Sequence, residues 1–132
     1  VANGLLPQAV SDTEKRIANA SYYDEALKII PQVKIPDRPQ PLKQVYHIYQ
    51  IRVANRDQCV KYCLDRGVEV KIHYPIPLYR QKALEILGYE KGQFPVTERH
   101  SKEVISLPVD QYITQNEQDI VIETIKEFYA NN

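Results

Sequence analysis

Methionine and tryptophan are absent from this 132-residue chain, phenylalanine and cysteine each occur twice, and glycine occurs four times. So little glycine leaves no glycine-rich phosphate loop, and neither HExxH nor GxSxG is present, which removes the commonest signatures of nucleotide, metalloprotease and serine-hydrolase chemistry. Cys59 and Cys63 have no second pair with which to hold zinc, and their i,i+4 spacing in a helical segment reads as two buried thiols. No apolar run approaches the roughly 20 residues that cross a bilayer, and residues 1–7 lack the basic-then-apolar pattern of a secretory signal, so the expected compartment is the cytoplasm. Charge of one sign is also missing. Seventeen Lys and Arg oppose seventeen Asp and Glu, without a basic block, so nucleic acid and anionic membrane are poor partners for a chain with no summed positive field. A complete gene product rarely lacks methionine at every position, and this absence reads as a segment of something longer.

What is present is an ordinary globular composition, 43% hydrophobic and 26% charged, enough for one domain with one core. Ser11 and Glu14 have the spacing of a capping box, which predicts a helix from Ser11 to Ile30, with Ile17, Ala20, Tyr23, Leu27 and Ile30 forming its apolar stripe and Pro31 closing it. Four prolines between Pro31 and Pro41 predict an extended connector that is neither helix nor central strand. Val45 to Val53 reads as a strand well inside a sheet. Asn55 is a candidate cap for the next helix, whose inner stripe is Val60, Cys63 and Leu64, and Gly67 ends it in a left-handed turn. Val68 to Tyr74 alternates, with Val68, Val70, Ile72 and Tyr74 toward the core and Glu69, Lys71 and His73 away from it. Leu78 to Leu87 reads as a short helix stopped by Gly88, Pro95 to about Val104 as another, and Ile105 to Leu107 as a brief strand. Thr114 with Glu117 is a second capping box, opening a last helix that buries Ile120, Val121, Ile125 and Phe128. The fold class is therefore α/β (α+β), a small sheet of about three strands packed by helices.

The densest chemically capable cluster is His73 to Arg80. There a strand end releases an imidazole, two phenols and a guanidinium into a loop stiffened by Pro75 and Pro77. Such groups together hydrogen-bond sugar hydroxyls or phosphates, and the prolines reduce the entropy lost in holding them. A solvated turn with packed tyrosines is the plainer reading. His47 reads as a satisfied histidine in mid-strand, His100 as part of a solvated helix face, and Arg16, Arg56 and Asp57 as surface charges or caps. Tyr22 and Tyr23 on the first helix are read as core aromatics, or as the lining of a cleft against another domain.

Several segments, in this order, resemble one family: Arg16 to Tyr23 (RIANASYY), Tyr46 to Tyr49 with Arg52, Arg56 and Asp57, Gly67 with Val68, His73 to Leu78 (HYPIPL) with Gln81, Phe94 to Glu98, and Ile105 to Pro108. Together they resemble the C-terminal domain of the DegT/DnrJ/StrS family, the sugar aminotransferases dependent on pyridoxal phosphate (PLP) and built on the aspartate-aminotransferase type of fold. The resemblance implies one small domain over 1–132, made of a bridging helix (1–30), a Pro-rich connector (31–44) and an α/β body (45–132). The large PLP-binding domain and its Schiff-base lysine would lie outside the chain, leaving it inactive alone. It further implies a homodimeric parent that moves an amino group from glutamate to a nucleotide-linked keto sugar, in surface-polysaccharide or amino-sugar biosynthesis. His73 and Tyr74, with Tyr79 as a third, would contact the nucleotide sugar. Tyr79 departs from the family, in which many members carry histidine there, and a phenol does not exchange protons near neutral pH as imidazole does. The HYPIPL wording is similar to members that aminate C3. A PLP- or PMP-dependent sugar dehydratase of the same fold and a non-catalytic binding or dimerisation module are the alternatives.

Overall fold

The computed structural model describes residues 2–131. The first helix, α1, runs from Ala2 to Leu27, which at 1.5 Å per residue makes it about 39 Å long. It begins nine residues earlier than the Ser11–Glu14 spacing predicts. Ser11 lies inside the helix and its hydroxyl donates to the Gln8 carbonyl, so a capping-box pattern within a continuous helix has become a back-bonded serine. Pro7, one turn in, forfeits a single helical amide bond. Gly4 and residues 6–11 of α1 stand exposed, whereas Ala20, Tyr23 and Leu27 are fully buried.

Three strands follow: β1 (Val33–Lys34), β2 (Tyr49–Val53) and β3 (Val104–Leu107), antiparallel in the order β1-β2-β3. The Pro-rich connector thus contributes an edge strand, held between Pro31 and Pro36. The central strand is shorter than predicted: residues 45–48 precede it as irregular chain, with Tyr46 at φ 49°. Register pairs Tyr49 with Leu107 and Ile51 with Ile105 on the face that meets the helices, and Gln50 with Ser106 on the other. Helix α2 (Arg56–Asp65) follows β2. Asn55 precedes it in a left-handed conformation without lending its side chain as a cap. Its buried stripe is Cys59 and Cys63, whereas Leu64, predicted inside, is 50% exposed. The helix ends as expected: Val68 N–H donates to the Cys63 carbonyl and Gly67 N–H to the Leu64 carbonyl, with Gly67 at φ 77°, a Schellman turn that only glycine enters without strain.

The predicted strand at 68–74 is reduced to a single bridge between Lys71 and Ser106. Val68 and Val70 enter the core as the alternation requires, but Ile72 is half-buried and Tyr74 is 76% exposed. The stretch read as one helix from Leu78 is two 3-10 turns, Leu78–Arg80 and Lys82–Leu87, closed by Gly88 at φ 67°. Helix α3 (Pro95–Glu103) runs directly into β3. Helix α4 (Gln115–Ala130) opens with the Thr114–Glu117 capping box in full. It buries Val121, Ile122, Ile125 and Phe128, while Ile120 faces solvent, because the stripe is rotated toward α1 and α2, which pack on α4.

One cluster joins α1, the connector and β2. The Tyr23 and Tyr49 ring centroids are 5.1 Å apart, and Tyr49 Oη donates to Asp24 Oδ1 at 2.7 Å. Arg38 grips the same carboxylate through Nε and Nη2 at 3.0 and 3.1 Å, and its guanidinium lies 5.3 Å from the Tyr46 ring centroid and 5.6 Å from that of Tyr49. Tyr22 on the same helix donates to Asp119 of α4 at 2.5 Å.

Burial pushes the phenols of Tyr23, Tyr49 and Tyr129 well above their ordinary range. Each therefore contributes stability that is complete below about pH 10, where the unfolded phenol ionises, and is lost as pH rises beyond it. Urea midpoints measured at pH 8 and pH 10.5 should fall steeply for the wild type and less for Tyr49→Phe. Gly67→Ala should cost about 1 kcal/mol by the same measurement, with an unchanged far-UV spectrum.

Candidate functional site

The alternation that sends Val68 and Val70 into the core sends Lys71 and His73 to the opposite face of the sheet. Lys71 and Ser106 exchange both backbone hydrogen bonds, at 3.1 and 2.8 Å, so this short segment is held against β3 without forming a full strand. Ser106 is on the open face yet only 5% exposed, and its Oγ lies 2.8 Å from His73 Nδ1. These residues line a cleft of about 370 Å³ together with Arg16, His47, Glu69 and Asp110.

Arg16 reaches the cleft from α1. Its Nε and Nη2 donate to Gln111 Oε1 at 3.1 and 2.8 Å, and Nη1 donates to the Tyr46 carbonyl at 3.2 Å. Every one of these acceptors is neutral, so among the described residues the guanidinium is held in place with its charge unpaired. The other charges are already engaged: Lys71 pairs with Glu69 at 3.1 Å, and Asp110 Oδ1 accepts the Tyr112 and Ile113 amides at 2.7 and 2.9 Å. A half-buried cation beside an anchored imidazole is suited to an oxygen-rich, anionic ligand. A neighbouring cleft of about 400 Å³, lined by Tyr112, Ile113 and Val121, presents Glu69, Asp110 and Glu117 and no cation, which suits such a ligand poorly.

The three residues singled out in the sequence are not brought together. His73 lines the cleft. Tyr74 follows it at φ 59°, a left-handed conformation that is uncommon for an aromatic residue and for one preceding proline, and its phenol stands in solvent with its ring centroid 6.4 Å from that of His73. Tyr79 is not among the cleft residues. It donates to Glu98 and packs on Phe94 and Tyr89, at centroid distances of 4.8 and 6.3 Å. Desolvation, and after it that bond, raises the Tyr79 phenol, while the same bond with the Gly92 amide holds the Glu98 carboxyl below its usual range.

Other readings are corrected. His47 is not in mid-strand but exposed in the bend before β2, where it lines the cleft. Arg56 is no surface charge: its largely buried guanidinium donates to the Ser101 and Val104 carbonyls at 3.2 and 3.4 Å and pairs with Asp57, tying α2 to the end of α3. Arg16 and Ser106 were missed as site residues, since their roles rest on partners 95 and 33 positions away; the one signal for Arg16 was its place in the RIANASYY segment.

Residues 4–126 match the DegT/DnrJ/EryC1/StrS aminotransferase family. The chain is 34% identical, over 85% of its length and 31% of the relative's, to the erythromycin biosynthesis sensory transduction protein EryC1 of Saccharopolyspora erythraea. It is 30% identical, over 89% of its length and 31% of the relative's, to the dTDP-3-amino-3,6-dideoxy-alpha-D-galactopyranose transaminase of Aneurinibacillus thermoaerophilus. Superposed on the crystal structure of S. venezuelae DesV in complex with a ketimine intermediate, it gives a TM-score of 0.90 at 25% identity, covering 94% of this chain and 33% of that one. The chain spans about a third of the length of the curated relatives it matches. With the family matched from the exposed start of α1 almost to the end of α4, the chain belongs to the DegT/DnrJ/EryC1/StrS aminotransferases.

Proposed function

We propose that this chain is the small C-terminal domain of a homodimeric, cytoplasmic aminotransferase that moves an amino group from glutamate to a nucleotide-linked keto sugar, and that its cleft at His73 faces that sugar nucleotide. The observation that carries this reading is one cleft lined by both an anchored imidazole and an arginine whose charge, among the described residues, is met by neutral oxygens alone. Arg16 would attract the diphosphate, and His73 would hydrogen-bond its oxygens or a sugar hydroxyl. Tyr74, exposed and next to His73, would contact the same ligand. The relative named for a 3-amino sugar supports C3 as the carbon aminated.

The side chains present do not fit pyridoxal phosphate. A Schiff-base lysine is activated by desolvation within a cavity, whereas every lysine of the chain is exposed except Lys126, which is half-buried and paired with Glu123 at 2.8 Å. Lys71, on the cleft, is exposed and paired with Glu69. On this reading the cofactor and the amino-group chemistry belong to the larger part of the parent protein, and the residues described here bind and orient the acceptor.

The parent protein, supplied with pyridoxal phosphate, should show a visible cofactor band that shifts when glutamate is added. Cofactor bound without a response to glutamate would favour the dehydratase, and no binding would leave a ligand-binding or dimerisation module. Within the parent, His73→Ala should raise KM for the sugar nucleotide about tenfold, a loss of about 1.4 kcal/mol of binding, with the glutamate half-reaction unchanged. Tyr74→Phe should act in the same direction and more weakly. Tyr79→Phe should leave KM near wild type, because its hydroxyl is engaged with Glu98. Equal damage to both half-reactions by His73→Ala would refute the assignment.

A further inference from the structure

We propose that Ser106 sets the tautomer of His73: its buried hydroxyl donates to Nδ1, so the neutral ring keeps its proton on Nε2 and offers the cleft a hydrogen-bond donor rather than a base. The geometry leaves two arrangements for the 2.8 Å contact between Ser106 Oγ and His73 Nδ1. If Nδ1 carried the proton and donated to Oγ, the serine hydroxyl would need an acceptor of its own. Ser106 is 5% exposed, its backbone N–H and carbonyl are spent on Lys71, and among the described residues its Oγ has no partner besides His73. That hydroxyl proton would be left without a protein acceptor on a residue almost wholly removed from water, which is costly. If the hydroxyl donates, it is satisfied, and Nε2–H is left to the half-buried, water-accessible side of the ring on the cleft. Only the second arrangement gives the nearly buried hydroxyl a partner and leaves solvent to the more exposed ring.

The consequence deepens the proposed function and rests on it for the identity of the ligand: a ring fixed in this way donates to phosphoryl or sugar oxygens beside Arg16 and cannot accept a proton from the substrate while Ser106 holds Nδ1. Ser106 is thus a positioning residue, acting through His73. The tautomer itself is a property of this chain and is testable with no substrate.

Nitrogen-15 NMR of the histidine rings in this chain, recorded at pH 8, checks it. The expected pattern for His73 is a protonated Nε2 and a bare Nδ1 shifted by hydrogen bonding. Ser106→Ala should move the Nδ1 signal to the position of a freely hydrated imidazole, and Ser106→Thr, which restores the hydroxyl, should return it. A proton on Nδ1 in the wild type, or an unchanged His73 spectrum in Ser106→Ala, would overturn the proposal. Should the alanine variant fail to fold, the wild-type and threonine spectra decide alone. In the parent enzyme Ser106→Ala should raise KM for the sugar nucleotide roughly fivefold, the worth of about one hydrogen bond, and by more than any fall in kcat. If that enzyme proves inactive on sugars while the NMR pattern holds, the proposed function fails and the positioning role stands.

Discussion

The carboxylate of Asp24 is where the three chain segments that define this domain meet. Tyr49 reaches it from the central strand and Arg38 from the connector, while Asp24 itself rides on the long first helix. A carboxylate held by a bidentate guanidinium and a phenol is a charge-assisted network with directional geometry, unlike the apolar contacts around it. Burial alone would hold α1 against the sheet at many positions along its axis. The Asp24 network selects one of them, and the Tyr23 and Tyr49 rings, in tilted contact, pack beside it.

That selection extends to the cleft. Arg16 precedes Asp24 by eight residues, close to two turns of the same helix, so fixing Asp24 against Tyr49 also fixes where the Arg16 guanidinium arrives over the sheet's open face. The sheet then acts as a partition. One face carries Tyr49, Ile51, Ile105 and Leu107 into the core, and the other carries Ser106 beside Lys71 and His73. A one-residue slip between β2 and β3 would exchange the faces, burying Gln50 and exposing Ile51. Register and ligand chemistry are thus the same constraint seen from two sides.

The elements legible in the sequence are those whose causes are local. Thr114 with Glu117, Gly67 after α2, and Pro95 opening α3 are decided within a few residues of themselves, and each is where the chain predicts it. Ser11 with Glu14 carries the same local signal as Thr114 with Glu117, but residues 2–10 are also helical, and a start signal has no force within a helix already formed. The alternation at 68–74 names the right faces and overstates the pairing, since the ladder there is a single bridge. Leu64 and Ile120 were misplaced because an apolar stripe fixes a helix's period, whereas its rotation depends on neighbours distant in sequence. The site divides in the same way: His73 stands out by composition, but the anchors of Arg16 and Ser106 appear only when residues far apart meet.

The sheet's outer edges bear on how such a domain persists in water. An open strand edge is a template on which other chains add strands. Here β1 offers two residues between Pro31 and Pro36, and prolines lack the amide that a growing ladder needs. At the other side, the peptide of Lys71 occupies both hydrogen-bonding positions of Ser106, and the chain then turns away at Pro75. The contact that places His73 over Ser106 therefore also caps the sheet, coupling the geometry of the cleft to resistance against fibre-like self-assembly.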